Sequence, residues 1–575
     1  MQELEKSGES KLQKPLRLLP GIIIVALQWV IRFVIPMIAP HFLIYSIFAG
    51  LLGGLGVAIW WAFFSRAAVF ERWSALLLVI GCLYGTSFFL DKSIATANVG
   101  LMFTIFSIPV MSLAFVSWAV ATRRFSTIIR RVSLVFTAIV ASGSWILLRT
   151  NGMDAELHHQ FDWRWAKTHE ERLLAEPVKE SFETIPATTG FQSGFEWPGF
   201  RGINRDGIVH GAKLNADWSL SPPVNLWRRE VGPGCSSMAI NGHVFYTQEQ
   251  LGEDEIVSCY DLENGKPIWK HRDKARFYDS HAGAGPRSTP TLLGNRIYTL
   301  GGTGILNALD AVNGKLLWSR NAAADAGIKA LPWGFTSSPL IFNGLAIVAL
   351  SGKLAAYDTL DGKPRWFGPD MGNSYSSPQL FTLNGVPQVL LMASKGAISI
   401  DPGSGKKLWD YPWATEDRIL QPANLGNGDL LLSRESNEVR RVSIIRENNI
   451  WKVKEKWTSP EMNASFNDCV IHKGYAYGFD GPFLACLDLK NGKRMWKGGH
   501  YQGWLLLLAD QDMILVLTEI GDLALVKATP DSFIELSKVT AIKGRTWNHP
   551  AMAGNILLVR NAEQMAAFRL SKSSN

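Results

Sequence analysis

The stretch LDAVNGKLLW at residues 309–318 is one of five near-copies of a single ten-residue pattern. Each copy keeps an Asp, a Gly four residues later, a Lys directly after that Gly, and a Trp eight residues after the Asp. An Asp side chain accepts hydrogen bonds from turn amides, and Gly takes the positive φ that closes a short hairpin. The pattern therefore predicts two antiparallel strands, with the Trp on the second strand filling the gap between neighbouring sheets. The other copies are YDLENGKPIW at 260–269, YDTLDGKPRW at 357–366, IDPGSGKKLW at 400–409 and LDLKNGKRMW at 487–496.

The spacing of the copies predicts a circular repeat. Asp261, Asp310, Asp358 and Asp401 are 49, 48 and 43 residues apart, which is typical of propeller blades or another repeat array. An inner strand that opens with small polar residues precedes the hairpins, as in SSPLIFNGLAIVAL at 337–350, so each unit holds four strands.

The number of strands predicts how the circle closes. A weaker unit ending at Trp457 lacks the Asp and the Gly, and two further inner strands follow Trp496. This makes eight inner strands but only seven complete blades after residue 232. The segment VNLWRREVG at 224–232 carries its own Trp227 and can supply the missing outer strand. We therefore predict an eight-bladed β-propeller of four-stranded antiparallel blades, closed by this N-terminal strand.

Residues 1–150 are of a different kind. Apolar runs lie at about 18–39, 42–64, 75–90, 99–120 and 132–148, and the longer runs meet the roughly 20 residues that a helix needs to cross a bilayer. We expect five membrane-spanning helices. Arg32 stands inside the first run and must reach the membrane surface or find a partner.

Basic residues set the expected orientation of these helices. The loops on one side hold only Lys92, which places the N-terminus in the cytoplasm and the propeller in the periplasm, beyond a bacterial inner (plasma) membrane. The net charge of +8 is partly this topology signal, so it does not indicate nucleic-acid binding. The cytoplasmic side carries Lys6, Lys11, Lys14 and Arg17, then Arg66 and Arg72, then Arg123, Arg124, Arg130 and Arg131.

A polar connector is expected at 151–222, between the transmembrane anchor at 1–150 and the propeller at 223–575. Its first part has the apolar spacing of a short surface helix, and its second part reads as extended linker. Of the five cysteines, Cys235 and Cys469 are expected on inner strands, and Cys259 and Cys486 each stand two residues before a repeat Asp. We expect small buried thiols, although an oxidising compartment would permit a disulfide.

The repeats resemble those of the pyrroloquinoline quinone (PQQ) repeat superfamily, from about Trp197 to the end of the chain. That resemblance implies one of two kinds of protein. Quinoprotein alcohol and glucose dehydrogenases carry the quinone with a Ca²⁺ ion at the propeller axis. Other members bind no cofactor, such as the lipoprotein scaffold of the outer-membrane barrel assembly machine. The Asp, Gly and Trp of the repeat serve blade geometry and do not decide between the two.

The five-span anchor followed by WPGFRGINRDG at 197–207 further resembles membrane-bound quinoprotein glucose dehydrogenase, whose anchor passes electrons to a membrane quinone. Two departures oppose this resemblance. The propeller has about 350 residues and lacks long insertions between blades, and it has no vicinal cysteine pair like the one many alcohol-oxidising members place against the quinone. In size it is closer to the scaffold.

Loops that enter the inner strands of a propeller converge on one mouth of the central channel. Under the resemblance to dehydrogenases, Asp468 or His281 would act as general base, and Asn467 with Asp468 would bind Ca²⁺. The quinone would be held by aromatic rings and by an arginine that pairs with its carboxylates. The alternative is a hydrated funnel whose polar residues satisfy one another. The candidate quinone-binding residues are Arg287, Trp333, Tyr375, Trp504, Trp547 and His549.

Two functions follow from these alternatives. The first is a periplasmic platform, embedded in the membrane by its anchor, that binds an envelope protein, a peptide or another envelope component. The second is a PQQ-dependent dehydrogenase that oxidises an alcohol or sugar and passes electrons to membrane quinone. The short loops and the missing cysteine pair favour the platform, and the five-span anchor favours the enzyme.

Overall fold

A computed structural model describes residues 16–39, 42–154, 159–175, 196–415, 418–435 and 438–573. The described residues do not include three of the basic residues on which the predicted membrane orientation depends, Lys6, Lys11 and Lys14. The chain divides into two compact units, Met1–Ala166 and Lys167–Asn575, which we call unit 1 and unit 2.

Unit 1 contains five helices that are long and apolar enough to cross a membrane, as predicted. Short turns of π-helix, Val30–Val34 and Trp60–Phe64, end or interrupt the first two. A short helix, Lys92–Thr96, and the paired strands Leu148–Met153 and His159–Trp163 complete the unit. The five spans, numbered in chain order, are Leu19–Ile38, Leu43–Phe64, Val69–Ser87, Met102–Ala121 and Thr127–Leu147.

Unit 2 is the predicted eight-bladed propeller. Each blade has four antiparallel strands, which follow chain order in blades 1 to 7, and the first of them lines the channel. The short segments Glu196–Trp197 and Ile208–Val209 add a fifth strand to the sheets of blades 1 and 7. Blade 1 contains Ala239–Asn241, Val244–Leu251, Asp254–Asp261 and Pro267–Lys274, and blade 2 contains Thr291–Leu293, Arg296–Leu300, Ile305–Asp310 and Leu316–Asn321. Blade 3 contains Leu340–Phe342, Leu345–Leu350, Lys353–Asp358 and Pro364–Asp370, and blade 4 contains Gln379–Leu383, Val386–Ala393, Gly396–Ile400 and Lys407–Pro412. Blade 5 contains Ala423–Gly426, Asp429–Arg434, Glu438–Glu447 and Ile450–Ser459, and blade 6 contains Val470–His472, Tyr475–Asp480, Phe483–Asp488 and Arg494–His500. Blade 7 contains Gly503–Leu508, Met513–Thr518, Asp522–Lys527 and Glu535–Thr540, and blade 8 contains Ala551–Ala553, Ile556–Arg560, Gln564–Arg569 and Val224–Glu230.

The N-terminal strand closes the ring as predicted. Val224–Glu230 pairs antiparallel with Gln564–Arg569, and Trp227 lies opposite Ala567. The last blade is thus built from both ends of unit 2, so the ring has no open sheet at its seam.

The repeated turn has the predicted geometry and also joins neighbouring blades. Gly362 has φ +72, and the carboxylate of Asp358 accepts a hydrogen bond from the turn amide of Leu360. The ring of Trp318, from the preceding blade, lies against this glycine, where a built Cβ would stand only 2.6 Å from the ring. The indole of Trp318 donates to the carbonyl of Thr359 over 3.0 Å. Wherever the next blade has the repeat turn, the Trp packs on the Gly of that turn, and this Gly must be small as well as flexible.

Blade 5 lacks the Asp and the Gly, as its sequence indicated. Asn448 and Asn449, both with positive φ, close its long outer hairpin instead. Trp409 of the preceding blade finds no repeat turn there, and its indole donates to Oε1 of Gln388 in its own blade over 2.7 Å.

The five cysteines are free thiols. Cys259 and Cys486 are fully buried on strands, as expected for small core residues. Cys235 and Cys469 do not lie on inner strands as expected. Each lies shortly before the first residue of an inner strand, which is Ala239 for Cys235 and Val470 for Cys469. Neither cysteine is therefore paired in a sheet.

Candidate functional site

Residues 198–207, which we call the channel plug, enter the central channel from the face opposite the mouth. Glu196 and Trp197 pair antiparallel with the far end of the inner strand of blade 1, so the chain here runs toward the mouth. Ile208 and Val209 pair parallel with Leu507 and Leu508 of blade 7, so the chain there runs away from it. The plug is therefore a loop whose tip reaches mouth level.

Arg201 fixes the plug to blade 6. Its Nη1 lies 3.4 Å from Oδ2 of Asp468, and its Nη2 donates to the carbonyl of Cys469 over 2.8 Å. Both charged side chains are buried, with 4% and 7% exposed. Burial raises the pKa of Asp468, while Arg201 acts in the opposite direction.

Arg205 fixes the plug to blade 3, three blades round the ring from blade 6. Its guanidinium donates to the carbonyls of Pro339 over 2.8 Å and Ser338 over 3.0 Å in blade 3. Burial, and then the neighbouring Arg201, lower the pKa of Arg205 to about 9. Phe200 packs edge-on against His549 of blade 8, with ring centroids 5.9 Å apart. The plug thus contacts blades around the whole channel.

Around the plug runs a ring of hydrogen bonds that we call the channel belt. From blade 1 to blade 5, a backbone N–H at one equivalent position per blade donates to a side-chain oxygen of the next blade, which gives five bonds across six blades. Asp468 is the last acceptor, taking the N–H of Gln421 over 2.7 Å. The belt residues are Ser237, Thr289, Ser338, Ser377, Gln421 and Asp468.

The belt gives Asp468 and His549 structural partners. His549 accepts a hydrogen bond at its carbonyl from the hydroxyl of Ser237, over 2.5 Å, which joins blade 8 to blade 1. Burial, and then the charge of Arg201, lower the pKa of His549 to about 3, so its ring is neutral at physiological pH. Asn467 likewise donates to the carbonyl of Gly503 in blade 7 over 2.5 Å. The predicted roles of these three residues in catalysis, quinone binding and metal binding stay predictions.

One side of the mouth carries three of the predicted site residues. The ring of Trp333 lies 4.7 Å from that of Tyr375 and 6.2 Å from that of His281. Burial lowers the pKa of His281, with Asp279 opposing the shift. Trp333 is half-buried, so one face of this aromatic group is open to a ligand.

The other side of the mouth carries a second aromatic group. Phe466 lies between Trp504 and Trp547, with centroid distances of 6.1 and 5.8 Å, and Trp504 also contacts His549 at 5.3 Å. The indole Nε1 of Trp504 is buried and has no hydrogen-bond partner among the described residues. A donor left in this state can be satisfied by a ligand.

Arg545 connects the two aromatic groups. Its guanidinium lies 4.6 Å from the ring centroid of Trp547 and donates to the carbonyl of His281 over 2.9 Å. Arg287, predicted to hold carboxylates of a ligand, instead pairs with Asp279 at 2.5 Å. Most mouth charges are therefore paired within the protein.

The predicted aromatic and polar mouth residues lie on loops that enter inner strands, except Trp504, which is the second residue of the inner strand of blade 7. The channel plug and its two arginines were not predicted. The only signal for them was WPGFRGINRDG, whose paired Gly and Arg residues suit a tight loop with buried cations. Phe466 and Arg545 were missed although each lies within two residues of a predicted site residue.

Comparison with known proteins gives two kinds of relative. The family model described as outer membrane protein assembly factor BamB matches residues 253–498. The chain is 22% identical over 352 residues to outer membrane protein assembly factor BamB of Yersinia pestis, covering 59% of this chain and 77% of that protein. It is 24% identical over 219 residues to quinohemoprotein alcohol dehydrogenase ADH-IIG of Pseudomonas putida, covering 35% of this chain and only 28% of the enzyme.

Solved structures of both kinds are among those that match. The crystal structure of BamB from Moraxella catarrhalis aligns with a TM-score of 0.44 at 15% identity, covering 61% of this chain and 99% of that one. Quinohemoprotein alcohol dehydrogenase from Comamonas testosteroni aligns with a TM-score of 0.49 at 13% identity, covering 66% and 81%.

Proposed function

On the premise that these matches place the propeller among the pyrroloquinoline quinone repeat proteins, we propose that the chain is a membrane-anchored binding platform of the bacterial envelope. The five spans hold it in the inner membrane, the propeller stands in the periplasm, and its mouth binds an envelope protein, a peptide or another envelope component. The proposal rests on one observation: two half-buried aromatic groups lie at a mouth that the channel plug reaches from the opposite face.

The channel plug supports binding at the mouth rather than passage through the channel. It reaches mouth level, and Arg201 and Arg205 attach it to blades 6 and 3. A ligand therefore approaches from one side and meets Trp333 and Trp504. Large, stiff aromatic side chains with few rotatable bonds are effective anchors in binding sites, because they provide contact area with little loss of conformational entropy.

A PQQ-dependent dehydrogenase is the second candidate. The five-span anchor and the match to an alcohol dehydrogenase favour it. In that function Asn467 and Asp468 would hold Ca²⁺, the aromatic mouth residues would hold the quinone, and the cofactor would supply the redox chemistry.

The residues at the channel axis do not fit that pair of cofactors. The carboxylate of Asp468 already faces a cation, the guanidinium of Arg201, and it accepts the N–H of Gln421. A Ca²⁺ ion would have to displace Arg201 from a buried pair, and Ca²⁺ requires six to eight oxygen ligands. In the part of the chain that the structure describes, no three His, Cys, Asp or Glu residues are grouped to hold a metal. Arg287, the candidate for the quinone carboxylates, is paired with Asp279.

A cofactor titration tests the choice between the two functions. Purified full-length protein in detergent is mixed with PQQ and CaCl₂, and cofactor absorbance and melting temperature are followed. We expect no stoichiometric uptake and no shift in melting temperature. Uptake at one quinone per chain that is lost in Trp333→Ala and kept in Leu360→Ala would overturn the platform. Leu360 is a suitable control because it is exposed on a repeat turn.

Site-specific crosslinking tests the platform itself. A photoreactive amino acid is placed at position 333 or 504 in cells, with position 360 as the control. We expect a discrete adduct from both mouth positions that is absent at position 360. The absence of any adduct specific to the mouth would contradict the proposal.

A further inference from the structure

Arg32 lies in span 1 with only 6% of its surface exposed. Its guanidinium stands 5.1 Å from the ring centroids of Phe33 and Phe106. Among the described residues no hydrogen bond or ion pair reaches it, and its Nε is fully buried. A guanidinium stays charged in proteins, so an arginine at this depth needs an anionic or strongly polar partner.

The carboxylates of unit 1 that form ion pairs use other arginines. These pairs lie beyond or at the ends of the spans, where charges are expected, and they leave the cation of span 1 uncompensated. They are Glu71–Arg130 at 3.7 Å, Asp91–Arg164 at 3.7 Å and Asp162–Arg149 at 3.5 Å.

A second buried polar side chain accompanies Arg32. Gln28 lies one helical turn earlier, is 2% exposed, and donates from Nε2 to the carbonyl of Gly50 over 2.6 Å. Its Oε1 has no partner among the described residues. Span 2 makes room for both side chains with glycines. A built Cβ would lie 3.1 Å from Cδ of Arg32 at Gly50 and 2.6 Å from Cγ of Gln28 at Gly53.

An apolar cavity begins one helical turn further along span 2. It has a volume of about 250 Å³ and is lined by spans 2, 3 and 4. Gly54, Leu76, Ile108 and Phe115 are among its walls, and Ser112 is the one polar side chain among the residues that line it. The hydroxyl of Ser112 lies 3.5 Å from Nε2 of Gln28, so the cavity wall touches the polar pair.

We propose that unit 1 binds an acidic amphiphile of the bilayer, with its phosphate or carboxylate on Arg32 and one apolar chain in the cavity. The positions of Arg32 and of the cavity along their spans agree with this placement of the head group and the chain. Arg32 is six residues from the end of span 1, or about 9 Å along the helix, whereas residues 51–58 of the cavity wall lie at the middle of span 2. A head group held by Arg32 would therefore direct its chain inward. The proposal concerns unit 1 alone and does not depend on the function of the propeller.

Charge decides the class of ligand. A neutral lipid would leave the guanidinium uncompensated, whereas an anion forms charge-assisted hydrogen bonds with it. The anion can come from an acidic phospholipid or from a free fatty acid, and both supply an oxygen acid and an alkyl chain.

The test uses the full-length chain, delipidated in an uncharged detergent. Phosphatidylglycerol, oleate and phosphatidylcholine are added separately, and bound lipid is counted by native mass spectrometry while melting temperature is followed. We expect one tightly bound acidic amphiphile and a rise of several degrees in melting temperature, with no rise from phosphatidylcholine. A response to phosphatidylglycerol alone assigns a phospholipid site, and a response to oleate alone assigns a fatty-acid site.

Two variants and a control locate the site. Arg32→Gln should weaken binding at least tenfold, and Arg124→Gln, which alters an exposed loop arginine, should leave it unchanged. Ala58→Leu fills the cavity, keeps Arg32, and should also weaken binding, which covers the case in which Arg32→Gln does not fold. Equal binding of phosphatidylcholine, or undiminished binding by both Arg32→Gln and Ala58→Leu, would overturn the proposal.

Discussion

The guanidinium of Arg201 lies 3.4 Å from the carboxylate of Asp468, one residue in the channel plug and the other in the channel belt. This pair joins a loop that enters from one face of the propeller to the ring that holds the blades together at the other. It also engages the carboxylate that the resemblance to dehydrogenases would assign to Ca²⁺. The same contact therefore holds the plug in the propeller and supports the proposal that the mouth binds no quinone with Ca²⁺.

The buried pair should be strongly coupled. Arg201→Met leaves the carboxylate of Asp468 buried without its cation, and we expect a loss of about 3 kcal/mol of stability. Asp468→Asn should cost a similar amount, and the double variant should lose less than the sum, because neither charge is then left alone. Thermal unfolding of the four proteins, followed by tryptophan fluorescence, measures the coupling. Strictly additive losses would show that the two side chains do not interact.

The glycine of the repeat turn should be intolerant of a methyl group because of the neighbouring Trp. Gly362 and Gly385 have nearly the same φ, +72 and +74, but a Cβ at Gly362 would clash with Trp318 whereas a Cβ at Gly385 meets nothing within 4 Å. We expect Gly385→Ala to cost about 1 kcal/mol, from backbone strain alone, and Gly362→Ala about 3 kcal/mol, from strain plus overpacking. Equal shifts in melting temperature would refute the packing argument.

His549 should make stability rise with pH. Its folded-state pKa of about 3 lies below the ordinary value of 6.5, because burial and Arg201 disfavour the charged ring. The unfolded chain therefore binds the proton more tightly. The stabilisation is complete above about pH 6.5 and is lost as pH falls toward 3, at roughly 1.4 kcal/mol per pH unit. His549→Gln should remove this slope in melting temperature between pH 7 and pH 5, whereas His210→Gln, at an exposed position, should not.

Glu255 should have the opposite effect. Burial raises its pKa from 4.5 to about 7, so the folded protein binds the proton more tightly than the unfolded chain does. This stabilisation is complete below about pH 4.5 and is lost as pH rises to 7. Glu255→Gln should therefore leave a protein whose melting temperature rises more steeply between pH 5 and pH 7 than that of the unsubstituted chain. A shallower rise would contradict the assignment.

The basic loops predict the side of the membrane on which the C-terminus lies. A phosphatase that is active only outside the cytoplasm should be active when it is fused after Asn575, and a fluorescent protein that matures only in the cytoplasm should be dark there. The reverse pair of results would mean an even number of crossings before the propeller, or an inverted anchor.

The sequence predicted the propeller well because its signals are local. An Asp, a Gly and a Trp within nine residues specify one hairpin, and the hairpin repeats at a nearly constant interval. The closing strand was also predictable, since Trp227 carries the same signal without a blade of its own. What the pattern did not reveal is that the repeat Gly is covered by the Trp of the preceding blade, because that partner lies outside the repeat unit.

The candidate site was less predictable. His281, Trp333, Tyr375, Trp504 and Trp547 were chosen from loop position, and the structure brings them together in two groups that Arg545 connects. Asp468 was chosen from the same kind of signal, yet its neighbours are a belt amide and an arginine of the plug. Loop position indicates that a side chain reaches the mouth, but it does not tell which partner that side chain will meet.

By itself, the sequence determined the class of each part: five apolar helices, a repeated hairpin and a ring of eight sheets. Hydrophobic length and turn chemistry depend on residues close together in the chain, so they can be read directly. Only the tertiary structure decided that residues 198–207 enter the channel, that Arg201 meets Asp468, and that Arg32 is buried with no carboxylate paired to it among the described residues. Those outcomes depend on which distant side chains share a desolvated space, and that is set by the packing of the whole unit.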